Sequence, residues 1–131
     1  MNSSVVEAQD EGIRLFHEGA YAESLEHFYI ALETYEQNHQ MLELGEVLNN
    51  IGVISRIEGR LDESAKSLER AKEIFQTLGD KSREAQTLGN LAPLYRMQGL
   101  TEQAMETYSK ASNLFRSLND SDREGEILMA L

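Results

Sequence analysis

The sequence predicts an all-α fold, an α-solenoid of three tandem helix–turn–helix repeats followed by a C-terminal half-repeat helix. The main observation is self-similarity, because four kinds of residue recur at intervals of 40 positions. These slots hold Gly12, Gly52 and Ala92; Gly19, Gly59 and Gly99; Phe28, Leu68 and Tyr108; and Ala31, Ala71 and Ala111. Apolar residues also follow one another at steps of three or four, and no segment shows the strict alternation of a half-buried strand. A helix pair cannot bury both apolar faces alone, so about three pairs are expected to stack.

The composition is that of one folded domain. The chain has 131 residues, of which 40% are hydrophobic and 27% charged, and these values are typical of a globular chain. A formal net charge of −11 disfavours nucleic acid as a partner, because a phosphate backbone needs a basic surface. We interpret the acidity as a solvated outer face, with recruitment of a basic partner as the alternative. The absence of cysteine excludes disulfides and thiolate metal sites.

The sequence shows no targeting or membrane segment. Its first residues carry neither a basic stretch nor an apolar core, so they do not resemble a signal peptide. No stretch approaches the roughly 18 apolar residues that a spanning helix needs. We therefore expect a cytoplasmic protein without membrane insertion.

The first repeat is predicted over about residues 4–38. Ser4 and Glu7 match the capping box, in which a hydroxyl and a carboxylate bond to free amides at a helix start. Helix one (about residues 4–18) has the stripe Val5, Ala8, Gly12 and Leu15, and helix two (about residues 21–37) has Tyr21, Leu25, Phe28, Leu32 and Tyr35. Gly19 separates the two helices, because glycine enters the left-handed conformation without steric cost.

The second repeat (about residues 41–78) follows the same plan. Helix three (about residues 41–58) is expected to bury Leu44, Leu48, Ile51 and Ser55, and helix four (about residues 61–77) Leu61, Leu68, Ala71, Phe75 and Leu78. Gly79 suits a left-handed stop after helix four, and Asp80 suits the N-cap of the next helix.

The third repeat (about residues 81–118) contains helix five (about residues 81–98) and helix six (about residues 101–117). Pro93 cannot donate to the Gly89 carbonyl, so it predicts a bend that either adjusts curvature or leaves that carbonyl available to a ligand. A second capping box, Ser121 to Glu124, opens a terminal helix over about residues 121–131. Residues 1–131 are therefore expected to form a single domain.

Taken together, the recurring slots resemble the tetratricopeptide repeat. In each unit a small residue is followed by a larger one, a turn glycine, an aromatic residue or leucine, and an alanine; the second unit shows Gly52, Ser55, Gly59, Leu68 and Ala71. The period of 40 residues exceeds the common period of about 34, and the family's tryptophan and repeat-closing proline are missing. This longer form is similar to repeats of kinesin light chain, of G-protein-regulating scaffolds and of bacterial regulators.

The resemblance implies that the first helix of each repeat lines a concave groove that binds peptides. The peptide-binding residues that it implies are Asn49, Asn50, Val53, Arg56, Ile57, Asn90, Arg96 and Met97. On helix one the matching positions are Val6, Gln9, Asp10, Ile13, Phe16 and His17.

The chemistry of these residues suits an extended peptide. An amide such as that of Asn50 offers a donor and an acceptor to a peptide backbone, and the guanidinium groups of Arg56 and Arg96 prefer carboxylates. We therefore expect a segment with one or two acidic residues between apolar anchors. Replacing both arginines with alanine is expected to weaken binding and to leave the melting temperature nearly unchanged. The alternative is that these are solvated residues whose arginine stems cover apolar surface.

Catalysis, cofactors and metals find no support in the sequence. His17, His27 and His39 have neither the spacing of metal ligands nor that of a catalytic triad. No glycine-rich phosphate loop follows a predicted strand. We therefore expect a protein partner, and not an enzyme.

Three functions remain open from the sequence alone. The first is a protein–protein interaction scaffold that holds a partner's peptide segment. The second is a self-assembly module, in which the apolar Ile127, Leu128 and Leu131 of the terminal helix would form a homo-oligomer. The third is a sensory fragment of a larger regulator. The sequence identifies neither the partner nor its pathway.

Overall fold

The computed structural model describes residues 2–118, with side chains from residue 5 onward, and places them in six α-helices. The helices are α1 (Asn2–His17), α2 (Tyr21–Gln37), α3 (Met41–Ile57), α4 (Leu61–Leu78), α5 (Lys81–Met97) and α6 (Thr101–Ser117). Each helix packs on the next one in the chain, and α3 also touches α5. The described residues contain no strand, so the prediction of a solenoid with three helix pairs is confirmed. The predicted terminal helix and its self-association lie outside the described residues.

The turn inside each pair is closed by glycine in the left-handed conformation. The φ angles are +80° at Gly19, +78° at Gly59 and +82° at Gly99. After each glycine, the next amide reaches back across the last helical turn, as in the bond of 2.8 Å from Arg60 N to Ser55 O. This arrangement satisfies carbonyls that a helix end leaves free, as the glycine spacing predicts.

The turns between pairs use two different residues in one slot. Gly79 has a φ of +71°, whereas His39, 40 positions earlier in the sequence, has a φ of +53°. A side chain in this conformation costs about 1–2 kcal/mol, so the first junction is the less relaxed of the two. Asp80 then caps α5 by accepting a bond of 3.1 Å from the amide of Arg83, which confirms its predicted role.

Glycine and serine fix the distance between the two helices of a pair. A Cβ atom placed on Gly52 would lie 2.4 Å from Leu68 Cγ, so α3 and α4 approach more closely than alanine would allow. At the same contact the buried Ser64 hydroxyl donates to the Gly52 carbonyl at 2.6 Å. Ser24 makes the same 2.6 Å bond to the Gly12 carbonyl in the first pair. The sequence predicts the glycines but not these serines.

The third pair packs without that hydrogen bond. It carries Ala92 and Ala104 in the slots that hold glycine and serine in the other pairs, and both alanines are buried. The alanines keep the small size that close packing requires and remove the polar group. The three repeats therefore share a shape and differ in their chemistry.

The apolar stripes predicted from the sequence form the core, with two corrections to the stripes and one to a predicted helix cap. Leu78 is 47% exposed because it is the last residue of α4, beyond the reach of the next helix. Leu61, the first residue of α4, is half-buried. Ser4 is not an N-cap, because α1 begins at Asn2 and Ser4 lies within it. Among the described residues no helix is long and apolar enough to cross a membrane.

Candidate functional site

The predicted peptide-binding residues lie on the first helix of each pair. We call the surface formed by α1, α3 and α5 the A-helix face. Two clefts open on it, one where α1 meets α3 and one where α3 meets α5. The two clefts share Asn50, and the other residues that line them come from different repeat slots.

The α1–α3 cleft is apolar. It has a volume of about 270 Å³ and is lined by Ile13, Phe16, His17, Phe28, Asn50, Val53 and Ile54. Ile13 remains 43% exposed, and the Phe16 ring meets the His17 ring edge-on at 5.5 Å between centroids. An apolar side chain entering this cleft would leave water for a largely hydrocarbon surface, which is favourable.

The α3–α5 cleft is polar and smaller. Its volume is about 170 Å³, and its lining includes Glu46, Asn49, Arg83 and Gln86. Arg83 bridges the two helices, because it bonds to Asp80 Oδ2 at 2.9 Å and to Glu46 Oε2 at 3.3 Å. The hydrogen bond to Asp80 is the main cause that raises the pKa of Arg83 above its ordinary value. The charges of this cleft are therefore already paired.

A chain of two hydrogen bonds ties α3 to α5. Arg56 Nη1 donates to the Asn90 carbonyl at 3.0 Å, and Asn90 Nδ2 donates to Asn49 Oδ1 at 3.0 Å. The Asn90 carbonyl follows that of Gly89, which Pro93 leaves without its usual helical donor. Burial lowers the pKa of Arg56. Three of the predicted binding residues thus support the solenoid itself.

Asn50 differs from Asn90 although both occupy one repeat slot. It is half-buried and lines both clefts. Among residues 2–118 its side-chain amide has no hydrogen-bond partner. The donor and the acceptor of this amide are therefore available at the point where the apolar cleft gives way to the polar one.

The other predicted residues lie at the edge of the A-helix face. Ile57 is 46% exposed and Met97 56% exposed, and both end their helices. Arg96 is also exposed. None of these three lines the two clefts, so the structure groups Asn49, Asn50 and Val53 without them.

Ile13 and Phe16, two of the helix-one positions that the resemblance implies, line the α1–α3 cleft. One feature of the site was missed by sequence reasoning. Arg83 was missed altogether, although its position three residues after an N-cap aspartate is a usable signal. No group of three or more histidine or acidic residues within the described chain could hold a metal ion.

Comparisons with known proteins agree with this architecture. The family model described as tetratricopeptide repeat matches residues 43–117. The N-terminal domain of stress-induced protein-1 from C. elegans superposes with a TM-score of 0.73 and 16% identity, covering 95% of this chain and 94% of that one. BtubC from P. vanneervenii superposes with a TM-score of 0.67 and 17% identity, covering 96% of this chain and 63% of that one. At these identities the likeness concerns the fold alone. No curated protein sequence matches the chain.

Proposed function

Because the chain belongs to the tetratricopeptide repeat family, whose fold generally serves protein–protein interaction, we propose that it binds an extended peptide segment of a partner protein across the A-helix face. The observation that carries this proposal is the Asn50 amide, which has no partner within the described chain and stands between an apolar and a polar cleft. Half-buried polar groups normally bond to protein or water, and a peptide backbone can supply both a donor and an acceptor.

The α1–α3 cleft supports an apolar anchor on the ligand. Its volume of about 270 Å³ is slightly below the range of about 300–1,000 Å³ for small-molecule sites. It therefore suits one bulky side chain better than a separate ligand. Burying a leucine or phenylalanine side chain contributes about 1.5–3 kcal/mol. Ile13, Phe16 and Val53 would contact that side chain.

We expect fewer contacts between acidic side chains of the ligand and the two arginines than the sequence predicts. One donor of Arg56 is engaged by the Asn90 carbonyl, but a guanidinium carries five. The remaining donors, together with Arg96, can still meet a carboxylate near the ends of α3 and α5. Since the chain carries a net charge of −11, one acidic residue beside the apolar anchor is the better match.

Selection of random peptides on the immobilised protein tests the proposal and does not require an identified partner. We expect the recovered peptides to share a bulky apolar residue. Added to the nitrogen-15-labelled protein, they should shift the amide NMR signals of Ile13, Asn50 and Val53. Peptides that shift only signals from α2, α4 and α6 would contradict the proposal.

A further inference from the structure

A second groove opens on the opposite side of the solenoid, between α4 and α6. We call it the outer groove; it has a volume of about 930 Å³. The buried Leu88, Leu91 and Tyr95 of α5 close its floor. The Tyr95 hydroxyl is held there by Glu69 Oε1 at 3.3 Å. The volume lies within the range of about 300–1,000 Å³ that ligand sites occupy.

The matching position between α2 and α4 is bridged. There Arg70 Nη1 of α4 meets Glu36 Oε2 of α2 at 2.8 Å. One repeat later the same two slots hold Lys110 and Gln76, which form no ion pair. Gln76 instead donates to Glu84 Oε2 at 2.9 Å. The ion pair that joins α2 to α4 therefore has no equivalent between α4 and α6 at these two slots.

The charges along the outer groove are arranged by sign. Lys72 on α4 forms no ion pair within the described residues, and Lys110 on α6 has only an exposed contact of 3.7 Å with Glu106. Glu102 and Glu106 lie toward the start of α6, two turns and one turn before Lys110. Glu84, the fifth charged residue of the lining, is the acceptor for Gln76. Because Gln76 is one turn after Lys72, Glu84 lies at the lysine end of the groove. The lysine end therefore combines two bases with one carboxylate that Gln76 engages, whereas the end with Glu102 and Glu106 is acidic.

We propose that the outer groove binds an extended partner segment in which an acidic and a basic residue lie four positions apart. The eight helical residues from Glu102 to Lys110 span about 12 Å. An extended chain covers this distance in about four residues, and side chains four apart point to the same face. The acidic side chain meets Lys72 and Lys110, the basic one meets Glu102, and the residue midway faces the floor.

The probe for this site is the capped peptide Asp-Ala-Leu-Ala-Arg, together with its reversed sequence and the uncharged Asn-Ala-Leu-Ala-Gln. Nitrogen-15 NMR titration of the protein should show saturable shifts for Lys72, Lys110 and Leu114 with a charged peptide and none with the uncharged one. The double variant Lys72→Glu, Lys110→Glu should weaken binding by about tenfold or more. The matched double variant Lys66→Glu, Lys81→Glu changes the net charge equally on exposed sites and should bind as the parent does.

Other results would overturn the proposal and assign the groove differently. The proposal would be refuted if the parent and the Lys72→Glu, Lys110→Glu variant bound the peptide equally. It would also be refuted if neither charged peptide showed saturable binding. Shifts centred on Asn50 and Val53 would place the peptide on the A-helix face. Self-association of the parent that the same lysine changes abolish would make a second copy of the chain the occupant. The A-helix face is tested with its own selected peptides. A negative result at one site therefore leaves the proposal for the other site unaffected.

Discussion

The two clefts of the A-helix face differ in their linings and in what their polar groups do. In the α1–α3 cleft, Ile13 and Val53 present apolar surface, and the Asn50 amide has no partner within the described chain. In the α3–α5 cleft, Asn90 is bonded to Asn49, and Arg83 is paired with Glu46. The polar group of the first cleft is thus unbonded within the described chain, whereas those of the second join neighbouring repeats.

Asn50 and Asn90 show that a repeated position does not imply a repeated role, because only Asn90 is bonded to a neighbouring repeat. A solenoid is stabilised by contacts between neighbouring repeats, and its polar groups can supply part of that contact. A residue bonded across two repeats has less capacity to bind a ligand. The comparison therefore predicts that substitutions in the first cleft affect binding, while substitutions in the second affect the free energy of unfolding.

The largest effect is expected from a charge in the apolar cleft. Ile13→Asp would place a carboxylate where we propose that the ligand's apolar anchor is buried, which should weaken the binding of selected peptides by about 3 kcal/mol. Isothermal titration calorimetry measures this loss. Ile30→Asp is the matched control, because Ile30 is 54% exposed on α2 and touches neither cleft. Equal losses in both variants would contradict the assignment of the anchor.

The next effect concerns stability, and it revises the expectation that removing Arg56 leaves the melting temperature nearly unchanged. Arg56 is half-buried and donates to a backbone carbonyl of the next repeat. Arg56→Ala should lower the free energy of unfolding by about 2 kcal/mol, a typical value for a hydrogen bond from a charged group. Urea denaturation should show no such loss for Arg60→Ala, whose side chain makes only an exposed contact of 3.8 Å. Identical midpoints for the two variants would disprove the inter-repeat role of Arg56.

A smaller effect of opposite sign is expected at Ser55. Its slot holds Leu15 in the first repeat and Tyr95 in the third. The Ser55 hydroxyl is the buried side-chain group of the described residues that has no hydrogen-bond partner. Ser55→Ala should therefore raise the free energy of unfolding by about 1 kcal/mol. Thermal unfolding that shows a lower melting temperature for this variant would mean that the hydroxyl is satisfied.

The fold was predictable because its determinants are local and repeated. Gly19, Gly59 and Gly99 mark the turns, and the apolar spacing gives helix bounds within about two residues. The serine contacts were not predictable in the same way. Ser24 and Ser64 bond to carbonyls on another helix, and only the packed pair brings those atoms together.

The position of the candidate site on the A-helix face could be predicted from the sequence. Which of its polar groups remain available to a ligand could not. Helical spacing places Asn50 and Asn90 on one face, and the structure gives both that placement. Whether a side-chain amide is available to a ligand depends on its neighbours in the fold. Asn49 and Asn90, for example, are 41 residues apart in sequence and are bonded to each other. The sequence predicts that Arg56 binds a carboxylate of the ligand, because the sequence alone does not reveal the contact between Arg56 and the Asn90 carbonyl. That contact depends on how α5 packs against α3.

The most direct test compares Asn50→Ala with Asn90→Ala in the same two assays. We expect Asn90→Ala to lower the free energy of unfolding by about 0.5–1 kcal/mol, while its affinity for the selected peptides stays near that of the parent. We expect Asn50→Ala to leave the free energy of unfolding in urea within about 0.5 kcal/mol of the parent value and to weaken the binding of the same peptides by about tenfold. If both variants lose affinity equally with unchanged stability, the two clefts are equivalent, and the division between a binding half and a supporting half is wrong.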